Sequence, residues 1–148
     1  MKAINLSEPW KIAVKELEKP VPKEGEALIR VISAGICGSD IGAFRGTNNL
    51  VSYPRIIGHE LAGIIEQVPE DNPKGFKVGD KVIVDPYLYC GHCYPCSIGR
   101  TNCCTSLHVL GVHVDGGMAE YFCHPADMLV KMPEDMTWTD AAMAEPLT

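Results

Sequence analysis

No stretch of this sequence approaches ~18 consecutive apolar residues, so no membrane-spanning helix is expected. Positive charge is in deficit: 13 Lys and Arg stand against 19 Asp and Glu. A net charge of −6 leaves no basic footprint for nucleic acid or an anionic membrane surface. The N-terminus, Met1 to Leu6, lacks the long apolar region and cleavage site of a secretory signal, and a cytoplasmic location is the expectation. No internal repeat or low-complexity tract is present. Glycines never fall as G-x-G-x-x-G after a strand; Gly111, Gly116 and Gly117 have a different spacing, so a dinucleotide site is not encoded in these residues.

What is present is globular. Apolar residues make up 46% and charged residues 22% of 148 positions, a composition and length suited to one domain with its own core. Seven cysteines are an odd number, and four of them recur at short intervals between Cys90 and Cys104. In a reducing compartment such crowding favours metal thiolates over disulfides.

The first half reads as short strands separated by Gly and Pro. Lys11 to Glu18 alternates with a period of two, the pattern of a half-buried strand. Further strands are expected over Ala27–Ile32, Gly63–Val68, Lys81–Val84 and Ala119–Cys123, with Cys123 on a core face. Helical signals are few: a turn or two from Asp40 to Arg45, and a helix over Ala141–Glu145 capped by Thr137 with Asp140 three residues on. Many short strands with turns between them predict a mainly β (α+β) barrel or sandwich.

Cys90, Cys93, Cys96 and Cys104 form C-x2-C-x2-C-x7-C. Four thiolates meet zinc's tetrahedral preference, and a shell filled by protein leaves no position for substrate, which makes such a zinc structural. Buried or disulfide-bonded cysteines are the alternative. Cys103 stands next to Cys104 and could replace it, though the spacing favours Cys104; His92 is expected to point outward. A second set is sparser: Cys37 in Gly-Ile-Cys-Gly-Ser-Asp, then His59 and Glu60 in Gly-His-Glu-Leu-Ala-Gly, 22 and 23 residues later. Taken alone, these residues could be core or surface.

Gly58-His59-Glu60-x-x-Gly63, preceded by Cys37-Gly38-Ser39-Asp40 and followed by the cysteine lobe, resembles the zinc-containing medium-chain alcohol and polyol dehydrogenases over essentially the whole chain. The resemblance implies a GroES-like, partly open β-barrel over residues 1–148, with the structural zinc lobe at about 86–107. It implies a catalytic zinc at Cys37 and His59. Ala144-Glu145-Pro146-Leu147 is similar to the E-P motif of the polyol branch, so Glu60 and Glu145 would add oxygen ligands, directly or through water. An exposed helix carboxylate is the other reading of Glu145. The stretch from Gly91 to Gly117 is most similar to sugar-acid (hexonate) 5-dehydrogenases.

The chemistry so implied is oxidation of a secondary alcohol to a ketone. Zinc acidifies the bound hydroxyl, and hydride passes to NAD or NADP. Ser39 would accept the substrate proton, or serve as a helix cap. Asp40 would orient His59, or simply favour a helix start. His108, His113 and His124 have no ligand spacing and are expected in core or surface positions, while Phe44 and Tyr53 are more readily packing than pocket. Two residues depart from the family pattern: Gly42 stands where many relatives carry a proton-relaying histidine, and Pro69 is expected to end the preceding strand early. A stop three residues after Glu145 predicts a cut before a cofactor (Rossmann) domain, the missing glycine fingerprint predicts an inactive isolated chain, and the resemblance implies a homo-oligomer for the whole enzyme. The competing expectation is a stand-alone zinc-binding or interaction module.

Overall fold

The computed structural model describes residues 1–147. Ten strands form three antiparallel sheets. The central sheet has five strands: β3 (Glu26–Ala34), β5 (Leu61–Gln67), β6 (Lys81–Val84), β9 (Tyr121–Pro125) and β10 (Leu129–Lys131), in the order β10-β6-β5-β3-β9. A three-stranded sheet, β2-β1-β4, joins β1 (Lys2–Glu8), β2 (Lys11–Glu16) and β4 (Arg55–Ile56). A two-stranded ribbon pairs β7 (Tyr87–Leu88) with β8 (His108–Val109). Three short α-helices accompany them: α1 (Gly38–Arg45), α2 (Tyr94–Ser97) and α3 (Trp138–Ala142).

Period-two patterning decides which sheet faces are buried. Ala27 and Ile29 of β3, Leu61 and Ile65 of β5, and Val82 and Val84 of β6 share one core with Phe122 and Leu129. The opposite face of β5 is covered as well: Ala62 packs with Met132 and with Ala141 and Ala142 of α3. A third cluster, including Leu6, Ala43, Ile57 and Met118, ties the β1 sheet to α1. The curled five-stranded sheet, with α3 on one face, is the mainly β, partly open barrel architecture expected from the sequence.

Several expectations are corrected. β2 forms where its alternation predicts, yet all six of its residues are exposed, with Ile12 at 48% and Val14 at 66%. Alternation shows that a strand has an apolar face, not that another layer covers it, and β2 is an edge strand. Thr137 does cap a helix, its hydroxyl accepting the Asp140 N–H at 3.2 Å. That helix ends at Ala142, and Glu145–Leu147 is a separate 3-10 turn. Pro146 lacks the N–H that a continuing helix would bond to the Ala142 carbonyl, so the helix cannot run on through it unbroken. On β9 the buried face belongs to Phe122 and His124; Cys123 is half-buried, its thiol pushed up to about 11 chiefly by desolvation. β1 was not anticipated, nor were the very short β4, β7 and β8 or the three-residue β10.

Candidate metal centres

The two-stranded ribbon sends out the cysteine lobe from β7 and takes it back at β8, so both ends of the excursion are clamped together. Cys93 opens α2, whose Pro95 suits a first helical turn. Cys104 follows a 3-10 turn over Thr101–Cys103. The sulfurs of Cys90, Cys93, Cys96 and Cys104 all lie within 4.8 Å of one another. Cys93 Sγ is 3.4 Å from Cys96 Sγ and 3.9 Å from Cys104 Sγ. A tetrahedron with zinc–sulfur bonds of ~2.3 Å has edges of about 3.8 Å, whereas a disulfide requires about 2.05 Å. All seven cysteines are free thiols.

The surrounding backbone favours thiolates. The N–H groups of Cys90 and Ser106 point at Cys104 Sγ from 3.3 and 3.4 Å, and that of Cys93 points at Cys90 Sγ from 3.4 Å. Backbone groups at Thr105 and Cys96 hold the Cys93 thiol down to about 6, while desolvation and the adjoining Cys93 sulfur push Cys96 up to about 12. Four sulfurs so crowded compete for negative charge, a competition that a divalent cation between them relieves. The donor set fits a closed four-thiolate zinc. Cys103 is exposed and outside the group, and His92 is exposed, its Nδ1 2.7 Å from the Cys90 carbonyl.

The second centre is assembled from two segments. Cys37 sits at the N-cap of α1, and His59 and Glu60 lead into β5. One donor atom from each of these three residues lies within 4.8 Å of the others, with His59 and Glu60 each 5% exposed. Asp40, only 3% exposed, fastens the segments together. Its Oδ2 accepts the Cys37 N–H at 3.0 Å, and its Oδ1 accepts the Gly58 N–H at 3.2 Å. Gly58 has φ +98°, and a β-carbon there would run into Met118, so the residue before the histidine must be glycine. Gly35 serves Glu60: a β-carbon at Gly35 would collide with the Glu60 carboxylate.

Asp40 does not hydrogen-bond His59 directly, since Oδ1 and Nδ1 are 3.9 Å apart, beyond hydrogen-bond reach. His59 Nδ1 is nonetheless buried, with no other partner among the described residues. A proton on Nδ1 faces the carboxylate, which leaves the Nε2 lone pair on the side of Ser39, whose Oγ is 3.5 Å away. One thiolate, one imidazole lone pair and one buried carboxylate fit an open zinc site.

Cys37, Ser39 and His59 border a cavity of about 450 Å³. Leu50, Val109 and Val112 supply its apolar wall. Glu145 also lines it but stands outside the three-donor cluster; its Oε1 accepts the Tyr87 hydroxyl at 2.8 Å. That hydrogen bond, then burial and the charge of Glu145, push the Tyr87 phenol up to about 12. Tyr87, Asn48 and His113 line the cavity as well, and sequence reasoning assigned none of them to it. Of the histidines set aside, His108 is exposed and His124 is core, hydrogen-bonded through Nε2 to the Asp85 carbonyl at 2.8 Å. Phe44 stacks edge-on against Trp10 at 5.0 Å, and Tyr53 donates its hydroxyl to the Ala43 carbonyl at 2.5 Å, so both are packing residues.

Comparison with known proteins identifies the family. The family model for the alcohol dehydrogenase GroES-like domain matches residues 23–134. An uncharacterized zinc-type alcohol dehydrogenase-like protein of Haemophilus influenzae is 55% identical over 100% of the chain, which covers 43% of that protein. The L-galactonate-5-dehydrogenase of Escherichia coli is 41% identical over 99% of the chain and 42% of its own length. Among solved structures, an alcohol dehydrogenase (RspB) from Escherichia coli CFT073, complexed with NADH, superposes with a TM-score of 0.91 at 49% identity, across 99% of this chain and 42% of that one. The chain thus spans about two fifths of the length of these relatives. It belongs to the alcohol dehydrogenase GroES-like domain family, with zinc-type alcohol and sugar-acid dehydrogenases among its relatives.

Proposed function

We propose that this chain is the metal- and substrate-holding part of a zinc-dependent dehydrogenase that oxidises a secondary alcohol of a polyol or sugar acid to a ketone, with NAD or NADP bound by a separate dinucleotide domain. The observation that carries this reading is the Cys37–His59–Glu60 cluster, with His59 and Glu60 buried and Cys37 half-buried, which opens beside Ser39 onto a cavity large enough for a six-carbon substrate. Cys37, His59 and Glu60 would hold one zinc, with Glu145 reaching it directly or through water; Cys90, Cys93, Cys96 and Cys104 would hold a second. When bound, the first zinc supplies a Lewis acid that makes a substrate hydroxyl acidic, and the nicotinamide supplies the hydride acceptor. Ser39 Oγ would take the hydroxyl proton while passing its own to water in the cavity it lines. Leu50, Val109 and Val112 would give the substrate carbons an apolar wall to rest on.

The absence of a glycine fingerprint from these residues supports an isolated chain without turnover. A homo-oligomeric whole enzyme and a cytoplasmic location belong to the same proposal; no described helix is long and apolar enough to cross a membrane. Metal analysis tests it. The expectation is up to two zincs per chain, with a mild chelator taking the Cys37 metal first, because the lobe gathers four ligands from one short loop. Cys37→Ser should remove one equivalent, and Cys90→Ser should destabilise the lobe. A Cys37→Ser chain that keeps two full equivalents would overturn the catalytic centre. Alcohol-dependent NAD or NADP reduction by the isolated chain would overturn the division of labour. A two-zinc whole protein inactive on every polyol and hexonate would point instead to a zinc-binding module.

A further inference from the structure

Two polar side chains on the cavity wall are held in one orientation by the backbone. Asn48 Oδ1 accepts the Leu50 N–H at 3.1 Å. His113 Nδ1 accepts the Val109 N–H at 3.1 Å. A backbone N–H can only donate, so each bond identifies its acceptor: the oxygen of the Asn48 amide and the unprotonated nitrogen of the His113 ring. What remains on each side chain is a donor, the Asn48 Nδ2 amino group and the His113 Nε2–H. Neither has a hydrogen-bond partner among the described residues, and both residues are half-buried on the cavity that holds Cys37, Ser39 and His59. Leu50, Val109 and Val112 beside them are apolar, and the one carboxylate on the same lining, Glu145, takes the Tyr87 hydroxyl.

We propose that Asn48 and His113 are the substrate-recognising pair of this cavity and bind the carboxylate of a sugar acid at the end of the molecule away from the reacting carbon. This rests on the dehydrogenase reading above and narrows it from polyols and sugar acids to sugar acids. An ionised carboxylate is acceptor-only, so it can take both donors at once. A terminal CH2OH group has one oxygen and carries its own donor proton, and matches the pair less well. Hydrogen bonds to a charged acceptor are roughly twice as strong as neutral ones. Gly42 contributes to the arrangement: its carbonyl accepts the Thr47 and Asn48 N–H groups at 2.9 and 3.2 Å and so fixes the backbone that presents Asn48. Tyr87, the other hydroxyl donor on this wall, is already committed to Glu145.

Acid and polyol pairs that differ only at one terminus provide the test: L-galactonate against galactitol, and gluconate against glucitol. Binding to the zinc-loaded chain is measured by calorimetry, and with cobalt in place of zinc by the visible spectrum of the metal. The acid should bind at least roughly tenfold tighter than its polyol in one pair or both. His113→Phe and Asn48→Leu should each weaken acid binding by a larger factor than polyol binding, removing most of that preference, while metal content is unchanged. His113→Gln, which restores an N–H donor, should recover part of it. Equal affinities for acid and polyol, or variants that weaken both alike, would overturn the assignment while leaving the dehydrogenase reading in place. Binding that persists unchanged in Cys37→Ser, or no binding of any of the four compounds, would overturn both.

Discussion

Replacing Asp40 by alanine should show how the open centre is built, because one buried carboxylate joins the two segments that carry its ligands. Asp40 makes two hydrogen bonds to backbone N–H groups, 3.0 Å to Cys37 and 3.2 Å to Gly58, and is 3% exposed. A hydrogen bond to a charged acceptor contributes about 1.5–3 kcal/mol, and the stranded N–H groups lie too deep for water to repair both. Asp40→Ala should therefore cost roughly 3–5 kcal/mol, a large part of the ~5–15 kcal/mol that holds a typical domain together. Asp40→Asn keeps the shape and one acceptor oxygen but turns an amino group toward a second donor, and should cost about half as much.

The assays are urea unfolding at fixed zinc concentration and metal content per chain. Both variants should lose zinc from the Cys37–His59–Glu60 site while the cysteine lobe, which makes no hydrogen bond to Asp40, stays loaded. A cost below about 1 kcal/mol for Asp40→Ala, or loss of the lobe metal first, would refute the reasoning.

Three further perturbations follow from single contacts. Gly35→Ala would drive a β-carbon into the Glu60 carboxylate, so it should deplete the open centre of metal and leave the lobe intact; unchanged zinc content would contradict the placement of Glu60. Tyr87, held up to about 12 first by its hydrogen bond to Glu145, should titrate closer to its ordinary 10.0 in Glu145→Gln when followed by phenolate absorbance, and an unmoved titration would remove that contact. His124 is pushed down to about 4 from 6.5 by burial, so between those values the unfolded chain takes up a proton that the native chain does not. Stability is therefore full above pH 6.5 and falls as pH drops toward 4, by up to roughly 3 kcal/mol, and His124→Gln should flatten that slope in urea unfolding measured across the range.

The parts of this protein that were legible in the sequence share one property: their partners are near in the chain. The four clustered sulfurs of the cysteine lobe come from 15 consecutive positions, Cys90 to Cys104, so spacing alone picks Cys104 over Cys103, as the geometry does. The Thr137 cap and the short helix after Cys37 are local in the same way. Cys37 and His59 were singled out only through resemblance, because 21 residues that include α1 and β4 separate them and no periodicity announces that Asp40 pins one to the other.

Where the partner is distant, residue type gave no signal. Ile12 and Val14 alternate as a buried face would, but burial depends on a covering layer that a single strand cannot report. Tyr87 and Glu145 meet across 58 positions, and what holds Glu145 on the cavity wall is a turn made by Pro146 that the helical pattern hid. His113 shows the limit most clearly. Its use depends on which nitrogen carries the proton, and that is decided by a backbone N–H four residues earlier in a loop whose shape no pattern of residue types records. Clusters of donor atoms can therefore be anticipated from spacing and resemblance, while the orientation of the polar side chains on this cavity has to be read from hydrogen bonds. For that reason substrate choice among close relatives should change with Asn48 and His113 while Cys37, His59 and Glu60 stay the same. Exchanging those two side chains alone should shift acid-against-polyol preference with no change in bound zinc.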